Sequence, residues 1–486
     1  MNRKPLADRR SDKAFGRYRD TRREFWDRIA ERAHPRPASS YYHERLAEVY
    51  RFLVAPGQRV LEVGSGTGDL LAALRPSRGV GVDFSPKAVQ VARERHPELE
   101  FKCADVHDLE IDETFDVVVI SDLVNDLWDV QAVLDKVASA CTPHTRIVLN
   151  FYNKLWQGPL RASRALGLAD PLLKQNWLSI QDVRNLLRIS GMEVISTTGE
   201  VLWPIRTPLL NGLFNKVLVK IWPFNHLALT HFVVARIDPS QFDSRSDEAT
   251  VSVIVPARNE AGHIEDILAR TPRMGARTEL IFVEGHSTDD TYEVILKALK
   301  DRPEDRISVY RQPGVGKGDA VRFGYEQATG DVLMILDADM TVAPEDLPRF
   351  YRALITGSGE FINGVRLVYP MEQEAMRFLN YLGNKFFGVV FTWLLRQPVK
   401  DTLCGTKVLT REAYNMIAAN RSYFGDFDPF GDFDLLFGAA KLNLKIVDMP
   451  IRYREREYGT TNIDRWRHGI LLLRMAAFAA RKLRFV

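Results

Sequence analysis

Two aspartates one residue apart, Asp337 and Asp339, end an apolar run in the segment ILDADMTVAPEDL. Side chains two residues apart on a strand point to the same face, so both carboxylates can meet one cation. A hard divalent ion such as Mg²⁺ takes carboxylate ligands together with phosphate oxygens. The residues APEDL that follow can open a helix, so a solvated turn with acidic caps is the alternative. The spacing alone leaves both interpretations open.

A glycine turn far upstream, in VLEVGSGTGDLL, supplies different chemistry. Gly64, Gly66 and Gly68 follow an apolar strand and precede a helix, so a ligand can approach the main chain and the free N–H groups of the helix. Asp83 ends the next strand, where a carboxylate can accept both hydroxyls of a ribose. Asp105 ends the third strand, where an acid can hold an adenine edge. The pattern predicts a nucleoside-containing cofactor.

The dinucleotide fingerprint does not fit this turn. G-x-G-x-x-G requires a third glycine at the position that Asp69 occupies, and Gly68 comes one residue early. An aspartate at that place would also repel a pyrophosphate. The turn therefore favours a cofactor without phosphates and disfavours an NAD-linked oxidoreductase.

Two series of alternating strands and helices must position these residues. Short β-branched runs alternate with helical patterns from residue 59 to 237, and a new series starts at 251 after a polar stretch that lacks apolar periodicity. Such alternation is typical of a parallel sheet covered by helices. We predict an α/β protein with two domains, each built on its own sheet. The predicted segments are a basic leader at 1–37, a first domain at 38–237, a linker at 238–250 and a second domain at 251–486.

Composition narrows the functional classes. The chain has 486 residues and a formal net charge of +3, so nothing demands a nucleic-acid partner, and none is predicted. Cys103, Cys141 and Cys404 are far apart, which argues against a disulfide framework or a structural zinc and fits a reducing cytoplasm. The Arg- and Lys-rich leader is interpreted as a solvated, partly helical extension, with contact to an anionic membrane surface as the alternative.

Two apolar segments bear on membrane contact. Residues 386–395 reach about half the length of a membrane-spanning helix, and 469–480 carry Arg474 in the middle. Both are interpreted as buried helices, with helices lying on a membrane surface as the alternative. We expect a cytoplasmic protein at the inner face of the plasma membrane, with peripheral membrane contact.

The motifs VLEVGSGTGDLL, GVGVDFSPKAV and CADVHDL resemble those of class I S-adenosylmethionine-dependent methyltransferases, over residues 41–237. The resemblance implies that S-adenosyl-L-methionine is the cofactor, with Asp83 at the ribose and Asp105 at the adenine. The residues that it assigns to the cofactor site are Glu62, Gly64, Ser65, Gly66, Gly68, Asp83, Phe84, Asp105, Val106 and Ser121. Asp122, His43 and Tyr152 are the candidates for a base toward a hydroxyl acceptor, each with a structural or cofactor-facing role as the alternative. The segments NFYNKLWQGPL and VLWPIRTPLLNGLFNKVLVKIW are expected near the methyl acceptor.

The second half resembles the GT-A glycosyltransferases of family 2, over residue 251 to about residue 463. The motifs are VSVIVPARNEAGHI, LIFVEGHSTDDTYEVI, GVGKGDAVRFGYEQATGDVLMILDADM and DTLCGTKVLTREAY. The branch that it resembles transfers sugars to polyprenyl phosphate, in the manner of dolichol-phosphate mannosyltransferase, and MPIRYREREYGTTNI is similar to the basic segment of that branch.

This second resemblance implies a donor site for a nucleotide-diphosphate sugar. Asp337 and Asp339 would hold Mg²⁺ or Mn²⁺ on the diphosphate, and Asp339 is the stronger catalytic candidate. Lys317 and Arg322 would approach the phosphates. The residues expected to border the nucleotide base are Pro256, Asn259, Glu260 and Glu284. Gly285 stands where the family usually has an acid, so the identity of the base stays open.

Two acceptors remain open for the sugar. A polyprenyl phosphate is already anionic and needs no base, and Arg366, Arg454 and Arg456 are expected to pair with it. A glycan hydroxyl requires a base, for which Asp432 and Asp434 in GDFDLLF are candidates, with a helix cap as the alternative.

These resemblances predict a bifunctional transferase for methyl and sugar groups in cell-envelope polysaccharide synthesis. One alternative is a glycosyltransferase for saccharide hydroxyls whose methyltransferase domain is regulatory or inactive. Another is a membrane-associated scaffold without activity.

Overall fold

The computed structural model describes most of the chain. The described residues are 13–31, 37–166, 173–241, 248–302, 306–369, 378–423, 433–453 and 465–485. They form two compact units that divide after Gln241, a point inside the predicted linker. Each unit is built on a seven-stranded sheet covered by helices. The predicted fold class of two α/β domains is confirmed.

The N-terminal unit has a mixed sheet in the order β3-β2-β1-β4-β5-β7-β6. Its strands are β1 (Arg59–Val63), β2 (Arg78–Asp83), β3 (Glu100–Cys103), β4 (Phe115–Ile120), β5 (Cys141–Tyr152), β6 (Met192–Glu200) and β7 (Thr230–Ile237). The first five strands run parallel, and β7 runs antiparallel to β5 and β6. The valine-rich central strands are buried, as both faces of a parallel sheet require. The carboxyl ends of β1 to β4 consequently meet at one edge.

Helices cover the first sheet. They are α1 (Lys13–Ala30), α2 (Pro37–Leu53), α3 (Asp69–Ala73), α4 (Pro86–Arg95), α5 (Val130–Val137), α6 (Gln157–Ala165) and α7 (Ile180–Ile189). α1 buries Phe15, Arg22 and Phe25 against the unit. This part of the predicted leader is therefore not a solvated extension, because its aromatic side chains recur at helical spacing and pack inward.

The C-terminal unit has a sheet in the order β10-β9-β8-β11-β13-β12-β14. Its strands are β8 (Thr250–Ala257), β9 (Arg277–Glu284), β10 (Ile307–Arg311), β11 (Val332–Ile335), β12 (Phe361–Val365), β13 (Lys407–Thr410) and β14 (Ile446–Pro450). β8 to β11 are parallel, whereas β13 runs antiparallel to β11 and β12. β14 pairs parallel with β12. The carboxyl ends of β8, β9 and β11 form the edge that carries the second set of predicted site residues.

Helices of the second unit pack on a core centred on β8 and β11. They are α8 (Ile264–Arg270), α9 (Thr291–Asp301), α10 (Lys317–Gln327), α11 (Leu347–Ile355), α12 (Phe378–Leu395), α13 (Arg411–Ala419), α14 (Phe433–Lys441) and α15 (Arg465–Ala479). α12 and α15, which contain the two apolar segments, pack on each other. Within the described ranges, no helix combines the length and apolar character needed to cross a bilayer.

Candidate functional site

Two glycines of the turn after β1 have different surroundings: Gly68 is packed against a side chain, whereas Gly66 faces open space. Gly64, Gly66 and Gly68 have φ angles of 78°, 52° and 77°, a region that favours glycine. A Cβ on Gly68 would lie 2.5 Å from the ring of Phe101, so this position is fixed by packing. A Cβ on Gly66 would meet no atom within 4 Å. Gly66 therefore leaves open space beside the main chain, as close approach of a cofactor requires.

Asp83 ties this turn to the end of β2. Its buried carboxylate accepts hydrogen bonds from the backbone N–H of Gly66 at 2.9 Å and of Ser85 at 2.9 Å. Burial raises the pKa of Asp83 above its ordinary value, although the backbone hydrogen bonds oppose that shift. Each carboxylate oxygen can accept a further hydrogen bond, so this geometry permits a contact with ribose hydroxyls. The contact itself stays a prediction.

Two buried polar atoms beside the turn have no partner among the described residues. They are Glu62 Oε2 and Ser65 Oγ. Burial is the largest cause that raises the pKa of Glu62 well above its ordinary range, and a hydrogen bond from the Leu71 backbone opposes it. An unsatisfied buried polar group costs about 1–3 kcal/mol. Both atoms therefore fit a ligand that brings hydrogen-bond donors, such as the ammonium group of S-adenosylmethionine.

Asp105 lies beside α1 at the end of β3. Its Oδ1 accepts hydrogen bonds from the His107 backbone at 3.0 Å and from His107 Nδ1 at 2.8 Å. Burial alone would raise the pKa of Asp105, but the His107 hydrogen bonds and the charge of Arg19 lower it below its ordinary value. Phe15 of α1 packs edge-on against His107, with 5.5 Å between ring centroids. α1 therefore borders the predicted adenine end of the site.

The remaining predicted cofactor residues follow the same strands. They are Phe84 after β2, Val106 after Asp105 and Ser121 after β4. Asp69, which excludes the dinucleotide fingerprint, contacts Arg95 at 3.2 Å and His96 at 3.0 Å. Its charge is thus engaged by neighbours on and after α4.

A polar cluster lies at the ends of β4 and β5. Asp122 Oδ1 accepts hydrogen bonds from the Tyr42 hydroxyl at 2.8 Å and from Asn150 Nδ2 at 2.5 Å. Burial raises the pKa of Asp122, and the charge of His43 opposes that shift. The ring of Tyr42 stacks on Tyr152 at 5.7 Å. The structure therefore gathers the three candidate bases around Tyr42. Sequence reasoning missed Tyr42 and Asn150, although Tyr42 adjoins one candidate base.

The two aspartates after β11 have separate partners. Lys317 Nζ lies 2.6 Å from Asp337 Oδ1. Asp339 Oδ1 accepts hydrogen bonds from the Thr341 backbone at 3.2 Å and from the Thr341 hydroxyl at 2.7 Å. Among the described residues, no group of three or more His, Cys, Asp or Glu side chains could hold a metal. A cation on these two carboxylates would take phosphate oxygens as its other ligands, in the manner of Mg²⁺.

Gly405 packs directly against the Lys317–Asp337 ion pair. A Cβ at this position would overlap both Asp337 Oδ2 and Lys317 Nζ. Lys317 is the first residue of α10 and follows Gly316, whose φ is 94°. Gly405 stands inside the DTLCGTKVLTREAY motif, yet sequence reasoning gave it no role of its own.

Arg366 was expected to contact an acceptor phosphate, but in the structure it forms an ion pair with Asp401. Its Nε and Nη2 contact the two carboxylate oxygens of buried Asp401 at 2.7 and 2.9 Å. Burial would lower the pKa of Arg366, but the charge and hydrogen bonds of Asp401 raise it. The Arg366 guanidinium also lies over the ring of Tyr453, 5.1 Å from its centroid. Burial is the largest cause that raises the pKa of Tyr453, and the charge of Arg366 opposes that shift. Direct binding of a phosphate by Arg366 stays a prediction.

The residues expected at the nucleotide base lie at the ends of β8 and β9. They are Pro256, Asn259, Glu260 and Glu284. Asn259 has a φ of 58°, and its side-chain oxygen accepts a hydrogen bond from the Thr288 backbone at 2.8 Å. Glu284 accepts one from the Ser287 backbone at 2.5 Å. These bonds lock the two turns together at the edge where a base is expected.

Asp434 is buried near the start of α14 and lies between two arginines. Its Oδ2 is 3.4 Å from Arg421 Nε and 3.8 Å from Arg322 Nη1. Arg322 was expected near the donor phosphates. The other predicted residues of the acceptor region, namely Asp432, Arg454 and Arg456, lie outside the described residues. The charge of Asp434 is compensated, which is an arrangement typical of a structural ion pair.

Comparison with known families assigns each unit. Residues 55–184 match a family model described as a methyltransferase domain. Residues 252–417 match the model for glycosyl transferase family 2. The first unit therefore contains a methyltransferase domain and the second contains a family 2 glycosyltransferase domain. The chain joins the two, which confirms both resemblances.

Curated relatives match the glycosyltransferase half. Undecaprenyl-phosphate 4-deoxy-4-formamido-L-arabinose transferase of Pectobacterium atrosepticum is 36% identical over 221 residues, which cover 44% of this chain and 63% of the relative. Dolichol-phosphate mannosyltransferase of Pyrococcus furiosus is 29% identical over 220 residues, which cover 44% of this chain and 59% of the relative. The chain thus spans less than two thirds of the length of these two proteins.

Solved structures match each half with low scores. Glucosyl-3-phosphoglycerate synthase from Mycobacterium tuberculosis, in complex with Mn²⁺, uridine-diphosphate and glucosyl-3-phosphoglycerate, is 20% identical with a TM-score of 0.35. That match covers 48% of this chain and 80% of the other. An S-adenosylmethionine dependent methyltransferase from Mesorhizobium loti is 18% identical with a TM-score of 0.31, over 39% of this chain and 96% of the other. The assignment of each unit rests on the family models.

Proposed function

We propose that this chain is a bifunctional transferase. The first domain transfers a methyl group from S-adenosyl-L-methionine, and the second transfers a sugar from a nucleotide-diphosphate donor with inversion, in the presence of Mg²⁺ or Mn²⁺. Polyprenyl phosphate is the proposed sugar acceptor and cell-envelope polysaccharide synthesis the proposed setting. The substrates named for the two curated relatives, undecaprenyl phosphate and dolichol phosphate, support this acceptor.

The observation that carries the sugar-transfer proposal is the Lys317–Asp337 contact beside Asp339 and Gly405. One edge of the sheet thereby offers an ammonium group for phosphate oxygens and two carboxylates for a cation. When bound there, a divalent cation would supply neutralisation of the leaving nucleoside diphosphate. Lys317 would hold the diphosphate in line, while Thr341 fixes the orientation of the Asp339 carboxylate.

Asp434 supports an acceptor that needs no general base. A hydroxyl acceptor requires a group free to take its proton, whereas a phosphate oxygen attacks as an anion. The carboxylate of Asp434 lies against Arg421 and Arg322, so its charge already has cationic partners. This arrangement favours polyprenyl phosphate over a glycan hydroxyl.

Exposed apolar side chains of the second unit support peripheral membrane contact near such a lipid. Leu382, Phe386 and Val389 of α12 are 48%, 55% and 72% exposed and share one helical face. Ile470 and Leu473 of α15 are each 52% exposed. Exposed apolar faces on packed helices are typical of surfaces that contact lipid or another protein.

The methyl-transfer proposal rests on Glu62 Oε2 and Ser65 Oγ. Both atoms are buried without a hydrogen-bond partner among the described residues, beside an open glycine turn. S-adenosylmethionine, when bound, supplies a methyl group already activated by the sulfonium. The protein then has mainly to align an acceptor with it. The polar cluster of Tyr42, Asp122 and Tyr152 at the adjacent strand ends could hold that acceptor and take a proton from it.

Sugar transfer by the full-length chain tests the central part of this proposal. Asp339→Asn should lower Mn²⁺-dependent transfer to polyprenyl phosphate by about 10²–10³-fold, because it removes charge that holds the cation. Asp346→Asn is the control, since half-buried Asp346 pairs with Arg349 at 3.3 Å and has no assigned part in the donor site. Equal transfer rates in the wild type and Asp339→Asn would refute the proposal.

A further inference from the structure

The segment between β6 and β7 exposes many large apolar side chains. They are Ile205, Leu209, Leu210, Leu213, Ile221, Trp222, Phe224 and Leu227. Leu209 is 92% exposed and Trp222 is 75% exposed. Single exposed apolar residues are common on proteins, but a set of this size within one segment is typical of an interaction surface.

A buried asparagine holds this segment in a defined conformation. Asn215 Oδ1 accepts hydrogen bonds from the backbone of Leu202 at 2.7 Å and of Trp203 at 2.8 Å. Its Nδ2 donates to the Tyr41 hydroxyl at 2.8 Å. The apolar side chains are consequently presented outward from a scaffold whose backbone hydrogen bonds are made internally.

Residues 154–166 extend the same surface. Trp156 Nε1 donates to the Leu227 carbonyl at 2.8 Å, and Asn153 Nδ2 donates to the His226 carbonyl at 2.9 Å. Leu155 is 62% exposed next to this junction. Residues 154–166 and 203–227 together are termed the apolar platform.

The charge of the apolar platform is of one sign. Neither stretch contains Asp or Glu, whereas together they contain six basic residues, Lys154, Arg161, Arg164, Arg206, Lys216 and Lys220. Two of these cations contact acids that lie outside the platform: Arg206 contacts Glu44, and Lys220 contacts Glu200. Lys154, Arg161 and Lys216 are exposed. Apolar anchors mixed with cations, with tryptophan among them, match the interface of an anionic bilayer. A second copy of the same surface would instead bring like charges together.

The platform also adjoins the polar cluster. Tyr41, which accepts the hydrogen bond from Asn215, directly precedes Tyr42, whose hydroxyl donates to Asp122. We propose that the methyltransferase domain docks through the apolar platform onto an anionic lipid bilayer and methylates an acceptor carried by a membrane lipid. This inference rests on the proposed methyl-transfer function.

Vesicle flotation of the full-length protein tests the docking surface. The double variant Leu209→Ser/Trp222→Ser should bind phosphatidylcholine vesicles that contain about 30% phosphatidylglycerol roughly tenfold more weakly than the wild type does. The control Ile189→Ser/Met416→Ser removes apolar side chains that are 43% and 45% exposed outside the platform, and should bind as the wild type does. Equal flotation of the two double variants would overturn the proposal.

A fluorescent dye attached to a single cysteine reports whether the platform itself contacts the vesicle. In a Cys103→Ser background, Leu209→Cys labelled with an environment-sensitive dye should show a blue shift on anionic vesicles, and Ile189→Cys should not. A shift at Ile189→Cys alone would overturn the docking surface. Loss of a dimer in Leu209→Ser/Trp222→Ser, together with no wild-type flotation, would show that a second copy covers the platform and would also overturn it.

Methyl incorporation tests the acceptor class. With labelled S-adenosylmethionine and bacterial membranes, label should enter the organic-extractable fraction and fall in Leu209→Ser/Trp222→Ser, although binding of S-adenosylhomocysteine stays unchanged. Label that stays wholly in the aqueous fraction would overturn the lipid-carried acceptor. Absence of S-adenosylhomocysteine binding in the wild type would refute the proposed methyl transfer itself, and flotation would still decide the docking surface.

Discussion

The two strand-end sites differ in whether their polar side-chain atoms have partners within the described chain. At the methyltransferase turn, Asp83 is occupied by the backbone of Gly66 and Ser85, while Glu62 Oε2 and Ser65 Oγ are buried without a partner in the described chain. At the glycosyltransferase edge, half-buried Asp337 and Asp339 each have a partner, Lys317 and Thr341 respectively.

This contrast follows from the charge of the proposed ligands. A cofactor with its own ammonium and hydroxyl donors can satisfy buried acceptors, so those acceptors need no partner from the chain. A diphosphate with its cation brings both signs of charge, so a flexible lysine next to two acids can exchange partners when the donor binds. Five substitutions test this contrast.

Gly405→Ala should have the largest effect. Its Cβ overlaps the Lys317–Asp337 pair, so the new methyl group should separate the ammonium from the carboxylate and lower sugar transfer by about 10²–10³-fold. Initial rates with Mn²⁺ measure this loss. Gly383→Ala is the matched control, because a Cβ there meets nothing within 4 Å. Equal rates in both variants would show that the pair has no part in transfer.

Alanine at the two glycines of the first turn should separate binding from folding. Gly66→Ala should weaken S-adenosylhomocysteine binding by roughly tenfold or more, at a stability cost of about 1–2 kcal/mol for its positive φ. Gly68→Ala should cost more stability, because its Cβ also meets Phe101 at 2.5 Å. Calorimetric titration and thermal unfolding give the two quantities. A wild-type affinity in Gly66→Ala would place the cofactor elsewhere.

Glu62 should make cofactor binding depend on pH. Burial raises the pKa of Glu62, so its carboxylate forms at a higher pH than that of an exposed glutamate, and affinity for S-adenosylhomocysteine should rise with pH as it forms. Glu62→Gln should bind about tenfold more weakly at high pH, with a flatter pH profile.

The stability of the ligand-free protein has the opposite pH dependence. A carboxyl whose pKa is raised by folding stabilises fully below its unfolded pKa, and that contribution is lost as pH rises toward the folded pKa. Glu62→Gln should therefore unfold at the same temperature as the wild type or a higher one at neutral pH. If Glu62→Gln bound S-adenosylhomocysteine with the same pH profile as the wild type, the proposed contact between Glu62 and the cofactor would be contradicted.

Asp434→Asn should have the smallest effect. If the sugar acceptor is a phosphate, removing this carboxylate should change transfer by the folded protein by no more than about fivefold, because no general base is lost, although losing one partner of a buried ion pair costs stability. Loss of a general base costs about 10²–10⁴-fold. A loss of that size would favour the glycan hydroxyl as acceptor.

The positions of the strand-end residues could be predicted from sequence because each residue ends its strand or follows it within a few positions. Gly64, Gly66, Asp83, Asp105 and Asp337 needed only the local pattern of apolar strand and polar turn. The alternation of strands and helices also predicted two α/β domains, because local periodicity reports which faces are buried.

Partners that are distant in sequence could not be predicted this way. Asp401 engages Arg366 across 35 positions, and Gly405 meets Lys317 and Asp337 through the sheet. The leader was expected to be partly helical, but the burial of α1 depends on a surface supplied by the rest of the unit. Such contacts depend on tertiary packing, which leaves no mark in the local pattern of one sequence.

One crossed measurement tests the claim that the chain carries two separate sites. Wild type, Gly66→Ala and Asp339→Asn, all full length, would be assayed for S-adenosylhomocysteine binding and for Mn²⁺-dependent hydrolysis of a panel of nucleotide sugars. We expect Gly66→Ala to lose only the binding and Asp339→Asn to lose only the hydrolysis. Loss of both properties in either variant, or of neither in both, would contradict the account.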